Sequence, residues 1–304
     1  MHEQRIGVVG GGLMGHGIGY LFAAAGHQVG LFEPVADSRT SLPRRLQAIV
    51  ELFDDDPAVL HRIAVHDRLA LAVDGATFVF EAAPERLALK QRIFAELEDA
   101  AAPDTILASN SSAIPSTDIG RNLKHRDRVL GTHFWNPPHL IPLVEVIENE
   151  KTSAEAVRGT MELLRHAGKV PVHVRRDIPG FVGNRLQHAM KREAIALVAA
   201  GVCDAETVDT VVKQGFGTRL AVLGPLEQCD LIGLDLMLDI AEVLYAHLDR
   251  TGGPHPYLRE KVKAGKLGMK SGEGFRHWTP EQADAVRQRL WRFLVEQANA
   301  RRKA

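Results

Sequence analysis

The sequence predicts an α/β chain: a doubly wound, mostly parallel sheet comes first and an all-helical domain follows. Three observations carry this reading. Short apolar segments alternate with helical patterns in the first half of the chain, as parallel strands covered on both faces require. The first of these segments runs directly into a glycine-rich turn that opens a helix, the start of a βαβ unit. Beyond Asp177-Ile-Pro-Gly180 no convincing strand recurs, and the apolar spacing becomes helical. The division is expected at 177/178, giving a dinucleotide-binding part over 1–177 and a helical part over 178–304.

Taken in order, Arg5 to Gly10 reads as a short buried strand, and Met14, Ile18, Leu21, Phe22 and Ala25 follow at helical spacing up to a C-capping Gly26. Val29 to Glu33 is a second apolar strand, and a helix-compatible stretch runs from about Asp37 to Phe53. Further strands are expected at Phe78–Glu81, Thr105–Ser109, Val129–Phe134, Leu143–Ile147 and Val170–Val174, with helices over Leu87–Ala101 and Ala154–Ala167. In the second half, helices are expected over Phe181–Ala200, Ala205–Lys213 and Pro225–Leu248. A last helix starts at Thr279-Pro-Glu-Gln282, with Thr279 as N-cap, Pro280 in the first helical position and Gln282 closing a capping box.

Composition narrows the function classes. The 304 residues are 45% hydrophobic and 25% charged, ordinary values for a globular chain with a substantial core. With 37 basic against 38 acidic residues, there is no basic surplus for nucleic acid or an anionic membrane. No apolar run reaches the roughly 20 residues of a membrane-spanning helix, and Met1 to Gln4 lacks a secretory leader's pattern; a cytoplasmic protein is the expectation. Cys203 and Cys229 have no metal-ligand or disulfide spacing and read as small buried residues in helices; no metal is expected.

The chemistry-bearing residues lie in the first half. Gly10-Gly-Gly-Leu-Met-Gly15 fits Gly-x-Gly-x-x-Gly in the right context, after a strand and before a helix. Gly10 allows the tight turn, Gly12 lets a pyrophosphate approach the backbone, and Gly15 lets helix and strand pack closely. Glu33, at the end of the second strand, stands where a Rossmann-type unit places its ribose-binding carboxylate. The alternative is a structural turn beside a surface glutamate. The stretch after Glu33 offers only Arg39 before Arg44, which favours NAD over NADP.

His133 ends an apolar strand just before a proline-containing turn, and Glu145 is the one carboxylate in the strand Leu143–Ile147. If those strands are neighbours, the carboxylate orients the imidazole, which then serves as a base in hydroxyl oxidation. A hydrogen-bonded core histidine with a strand-edge glutamate explains the same spacing. Ser109-Asn-Ser-Ser112 and Asn184 offer further polar groups, although loops and helix caps use the same residues.

The ordered motifs carry a specific resemblance over nearly the whole length. They are Gly10 to Ile18, Glu81-Ala-Ala-Pro-Glu85, Ser109-Asn-Ser-Ser112, His133-Phe-Trp-Asn136, Leu143-Val-Glu-Val146, Pro179 to Arg185 and Ser271-Gly-Glu-Gly-Phe275. On these the chain resembles the L-3-hydroxyacyl-CoA dehydrogenase family. The resemblance implies His133 as general base, Glu145 as its orienting partner, Ser112 and Asn184 on the reacting oxygen, and Asn136 in support. It implies NAD contacts at Gly10, Gly12, Leu13, Met14, Gly15, Glu33, Ala83 and Asn110, with Glu85 and Lys90 near the nicotinamide ribose. It also implies a homodimer formed through the helical domain, which closes the active-site cleft.

One departure bears on the substrate. The acyl-CoA enzymes usually carry a lysine just before the Leu-Val-Glu-Val strand, where this chain has Pro142. That variant, with Phe216-Gly-Thr-Arg-Leu and Gly224-Pro-Leu-Glu, is more similar to the free-acid branch, such as L-gulonate 3-dehydrogenase (lambda-crystallin) or carnitine dehydrogenase. The C-terminal run from Lys270 to Gln282 is similar to a branch acting on a pyridine-carboxylate aldehyde. Arg44 and Arg45 are the nearest basic pair for a CoA 3′-phosphate, and a solvated helix face accounts for them equally well. The expected reaction is thus reversible hydride transfer to NAD from a secondary hydroxyl β to a carboxyl or thioester carbonyl, as in a 3-hydroxyacyl-CoA dehydrogenase. The alternative substrate is a free small hydroxy acid or aldehyde acid, and a catalytically silent, crystallin-like NAD-binding protein is the reading from another class.

Overall fold

A computed structural model describes residues 2–303. Eight strands form one sheet in the order β3-β2-β1-β4-β5-β6-β7-β8. They are β1 Arg5–Val9, β2 Gln28–Phe32, β3 Ile63–His66, β4 Phe78–Glu81, β5 Ile106–Ser109, β6 Val129–Phe134, β7 Leu143–Ile147 and β8 Val170–Val174. All neighbours run parallel except β6 and β7, which pair antiparallel. The helices of the first half are α1 Gly15–Ala24, α2 Ala36–Phe53, α3 Leu69–Val73, α4 Leu87–Ala100, α5 Ser116–Ile119 and α6 Ala154–His166. Those of the second half are α7 Gly183–Ala199, α8 Ala205–Gln214, α9 Pro225–Ile232, α10 Leu234–Leu244, α11 Pro256–Lys263 and α12 Pro280–Lys303.

The period-two alternation of a strand decides which helices each residue meets. Ile6, Val8, Phe80, Ala108, Leu130 and Val144 share one apolar cluster with side chains of α1, α2 and α6. Their neighbours Val9, Val79, Leu107 and Val129 share the other with α3, α4 and α5. A strand buried on both faces has no polar side, which is why these segments read as continuous apolar runs. Phe22 of α1 stacks on Phe80 of β4 at 4.7 Å between ring centroids.

Two compact units emerge: residues 1–184 with 291–304, and residues 185–290. In the second unit only Gly274 and Ala283 are fully buried, while Val222, Leu226, Leu231 and Val243 are each more than two-thirds exposed.

Some local expectations need correction. The run Pro225–Leu248 is two helices, because Gly233 takes φ 95° and interrupts the hydrogen-bond ladder between α9 and α10. β3 is a strand absent from the sequence reading; its residues are half-exposed at the sheet edge, so it lacks the apolar run that marks the central strands. Cys203 lies in the bend before α8, outside any helix, and both cysteines are only half-buried. The capping box at Thr279 is present: the Thr279 amide donates to Gln282 Oε1 at 3.0 Å, and the Gln282 amide to Thr279 Oγ1 at 3.2 Å.

Candidate active site

The glycine turn is built on the C-terminal end of β1, at the point where the strand order reverses between β1 and β4, the usual ligand crevice of an open α/β sheet. Gly10 takes φ 98°, and its amide donates to the Phe32 carbonyl at 2.8 Å. A Cβ on Gly15 would lie 1.6 Å from the Gly10 carbonyl oxygen, whereas one on Gly12 would meet no heavy atom within 4 Å. Gly15 is therefore required by the packing of α1, and Gly12 leaves open space above the helix N-terminus.

Glu33, only 7% exposed, follows β2. Its Oε2 accepts from the Gly11 amide and its Oε1 from the Val35 amide, both at 2.9 Å. A carboxylate has about four acceptor positions, so two remain for a ribose diol. Arg39 is no phosphate clamp: its Nη1 donates to the carbonyls of Glu33 and Pro34, each at 2.8 Å. Arg45, nominated for a CoA phosphate, donates instead to the carbonyls of Gly12 and Ser38 at 3.4 and 3.2 Å. Backbone donors, a helix N-terminus, an open Gly12 and a half-satisfied carboxylate suit NAD; the turn and α1 would hold its pyrophosphate and Glu33 its adenosine ribose.

Beneath the turn after β4 lies a buried polar network. Glu81, 0% exposed, accepts from Lys90 Nζ at 2.8 and 2.9 Å, from the Ala83 amide at 2.7 Å and from the Ser109 hydroxyl at 2.6 Å. Every lone pair is used, which is what allows a carboxylate and an ammonium at this depth. Lys90 is itself 0% exposed, with Glu85 Oε2 3.5 Å from its Nζ; it braces Glu81 and Glu85 from below. Ala83 abuts the glycine turn, since a Cβ on Gly10 would lie 3.3 Å from its amide nitrogen.

Glu85 gathers the next loop. Its Oε1 accepts from the Ser111 hydroxyl at 2.5 Å and from the amides of Ser112, Ala113 and Ile114 at 3.1 to 3.3 Å. Burial pushes this carboxyl up, but the Ser111 hydroxyl, Lys90 and the loop amides outweigh it and hold Glu85 below the ordinary carboxylate range. Asn110 ties the same loop to the neighbouring strands: its amide donates to the Glu81 carbonyl at 2.7 Å, and its Oδ1 accepts from the Phe134 amide at 2.9 Å.

His133 and Glu145 face each other across the antiparallel β6–β7 pair as direct partners. Both are buried, at 4% and 1% exposure, and Nδ1 of His133 lies 2.7 Å from Glu145 Oε2. The other carboxylate oxygen, Oε1, accepts from the amides of Val182 and Gly183, both at 2.9 Å. Burial pushes Glu145 up, but the His133 bond and the two amides outweigh it and hold the carboxyl below its ordinary range. Asn184 comes next in the chain, and its Nδ2 donates to the Ser112 carbonyl at 2.9 Å. A continuous chain of contacts thus runs from His133 through Glu145 and the 182–184 backbone to Ser112 and Glu85. Leu13 is exposed on the glycine turn. Asn136 is exposed three residues after His133 and makes no side-chain hydrogen bond to the other site residues among those described.

Glu81, Ser111, Trp135 and Phe181 fall within the sequence motifs, but sequence reasoning gives none of them a site role. Trp135 and Phe181 flank the imidazole at 5.2 and 5.6 Å between ring centroids. Phe181 takes φ 49°, a left-handed conformation costing about 1–2 kcal/mol outside glycine; burial to 2% exposure and the two following amides on Glu145 hold it there. The signal for Glu81 was present: like Glu145, it is a lone carboxylate in an apolar strand.

The glycine turn and the buried histidine–carboxylate pair, on neighbouring strands of one sheet, define an NAD-dependent dehydrogenase acting on hydroxyl groups. The model of the 3-hydroxyacyl-CoA dehydrogenase NAD-binding domain matches residues 5–178, and that of the 3-hydroxyacyl-CoA dehydrogenase C-terminal domain matches residues 180–278. The chain belongs to the 3-hydroxyacyl-CoA dehydrogenase family. It is 37% identical over 298 residues to 5-formyl-3-hydroxy-2-methylpyridine 4-carboxylate 5-dehydrogenase from Mesorhizobium japonicum, covering 96% of both chains. The crystal structure of a 5-dehydrogenase of that pyridine carboxylic acid, described as an NAD+-dependent dismutase, superposes with a TM-score of 0.91 at 35% identity over 99% of both chains. The (S)-3-hydroxybutyryl-CoA dehydrogenase from Ralstonia eutropha superposes with a TM-score of 0.74 at 31% identity, over 91% of this chain and 100% of that one.

Proposed function

We propose that this protein oxidises, with NAD, a hydroxyl-bearing carbon on a small free carboxylic acid, including the hydrated form of an aldehyde acid. The observation that carries the chemistry is the 2.7 Å contact between His133 Nδ1 and Glu145 Oε2. Because Glu145 occupies Nδ1, Nε2 is left as the ring nitrogen that accepts a proton. Bound on the glycine turn, NAD supplies the hydride acceptor. His133 takes the hydroxyl proton as the hydride leaves, and Glu145 stabilises the imidazolium so formed. The Val182 and Gly183 amides fix Glu145, the Ser112 hydroxyl and Asn184 hold the reacting oxygen, and Asn136 lines the same end of β6. Trp135 and Phe181 keep water from the imidazole. A hydrated aldehyde carries both the C–H and the O–H this requires, so the same residues would convert it to a carboxylic acid.

A free acid is favoured over a thioester on three grounds. Pro142 stands where the acyl-CoA enzymes carry lysine, Arg45 is bonded to the glycine turn, and an enzyme of a pyridine carboxylate superposes with a TM-score of 0.91, against 0.74 for the 3-hydroxybutyryl-CoA dehydrogenase. The second unit carries many largely exposed apolar side chains, among them Val222, Leu226, Leu231 and Val243, which a homodimer through the helical part would cover.

The test is NADH formation by the purified protein on a panel of pyridine-carboxylate aldehydes, L-carnitine, L-gulonate and 3-hydroxybutyryl-CoA. Turnover confined to the free acids supports the reading. Turnover confined to the thioester refutes the substrate class and keeps the catalytic assignment, and loss of all turnover in His133→Gln with NAD affinity intact supports that assignment.

A further inference from the structure

A cavity of about 280 Å³ lies within the first unit, on the side of the β6–β7 connection that faces the end of α12. One wall is apolar, formed by Leu21 and Ala25 near the end of α1 and Phe53 at the end of α2. The lining also holds three cations from elements far apart in sequence: Lys169 before β8, and Arg301 and Arg302 in the last turn of α12.

These charges are only partly answered. Lys169 is 7% exposed, and its Nζ donates to the carbonyls of Pro138 at 2.5 Å and Ile141 at 2.9 Å. An ammonium has three donors, so one is left. Burial, then the nearby Arg301, pushes its pKa down to about 7. Arg301 donates to the Leu140 carbonyl at 2.7 Å. Arg302 is the cation with a carboxylate partner, Asp55 at 2.7 and 2.9 Å, and its guanidinium lies 4.4 Å from the Phe53 ring centroid. Among the described residues, three cations thus face one carboxylate. His139 also lines the cavity, and both of its ring nitrogens are buried without a hydrogen-bond partner.

We propose that this cavity binds a small organic carboxylate, at a site separate from the catalytic strands. The anion's oxygens meet the remaining donor of Lys169, the Arg301 guanidinium and an N–H of His139. Its apolar body covers Leu21, Ala25 and Phe53. An inorganic anion would answer the charge and leave that wall bare. Lys169 and Arg301 also grip the carbonyls of Pro138, Leu140 and Ile141, in the connection between the strands bearing His133 and Glu145. An occupant that keeps Lys169 charged therefore tightens that connection.

The experiment is titration calorimetry on the full-length protein with benzoate, benzyl alcohol and inorganic phosphate. It is run on the wild type, Lys169→Met, Arg301→Gln and Ser112→Ala, with melting temperatures to verify folding. Benzoate is expected to bind the wild type and Ser112→Ala alike, and about tenfold or more weakly when either cation is removed, as loss of a charge-assisted bond implies. Benzyl alcohol is expected not to bind, and NAD affinity to stay unchanged in Arg301→Gln. Equal benzoate affinity in the wild type and folded Arg301→Gln overturns the site, as does absence of benzoate binding. Loss of binding in Ser112→Ala assigns the ligand to the catalytic centre, and phosphate binding as tightly as benzoate reduces the cavity to an inorganic anion site; either result overturns the proposal.

Discussion

Replacing Glu145 by glutamine tests the catalytic pair with almost no change in shape. In the native site Oε1 accepts from two backbone amides while Oε2 faces His133 Nδ1. A glutamine must keep its carbonyl oxygen toward the Val182 and Gly183 amides, because turning its NH2 there would oppose donor to donor. The NH2 then points at Nδ1 and donates to it. This moves the imidazole proton to Nε2, the nitrogen that has to accept the substrate's proton. Losing the charge-assisted bond alone costs about 1.5–3 kcal/mol, or roughly 10- to 100-fold in rate. The wrong tautomer adds to this, and the corresponding change in a Ser-His-Asp triad costs about 10⁴ in kcat. Glu145→Gln is therefore expected to lower kcat by about 10³ to 10⁴, with NAD affinity and melting temperature nearly unchanged because the burial and both amide bonds persist. Steady-state NADH formation, NAD titration and thermal melting measure the three quantities. A folded variant with kcat within about threefold of the wild type would refute the reasoning.

Other predictions concern the cofactor turn and the buried lysine. Gly12→Ala meets no protein atom, so stability should hold within about 0.5 kcal/mol while NAD affinity falls about tenfold or more; unaltered NAD binding by titration would count against the pyrophosphate position. Gly15→Ala puts a Cβ 1.6 Å from the Gly10 oxygen and should cost about 3 kcal/mol or more in denaturant unfolding. With the Glu33 carboxylate at the ribose position and Arg39 held by backbone carbonyls, kcat/KM with NADP should be about 100-fold or more below that with NAD. Lys169 has a folded pKa of about 7 against an ordinary 10.5, so across that window the unfolded chain binds more protons at this position. Stability from this group rises with pH there, by at most about 1.4 kcal/mol per pH unit. Urea unfolding at pH 7.5 and 9 should show that rise, reduced in Lys169→Met; equal slopes in the two proteins would contradict the lysine's assignment.

What the sequence determined by itself is local, or repeats at short range. Apolar runs of strand length, the Gly10 to Gly15 turn with Glu33 after the next strand, and the capping box at Thr279 are each set by the backbone preferences and spacing of a few neighbouring residues. The composition gave no net basic surplus, and the ordered motifs carried the family. The candidate residues His133 and Glu145 were legible as types at strand positions, but their pairing was not. It depends on β6 and β7 lying antiparallel in register, and a slip of one residue would have turned Glu145 to the other face. Glu81 and Lys90 show the same limit: a lone strand carboxylate signals a partner without naming it. Only the folded chain seats that lysine beneath the turn, where Ser109 and the Ala83 amide use the remaining lone pairs. The cavity at Lys169 is further still from the sequence, since its cations stand at position 169 and at 301–302. Long-range charge and burial are set by which surfaces meet, and that is decided by tertiary packing.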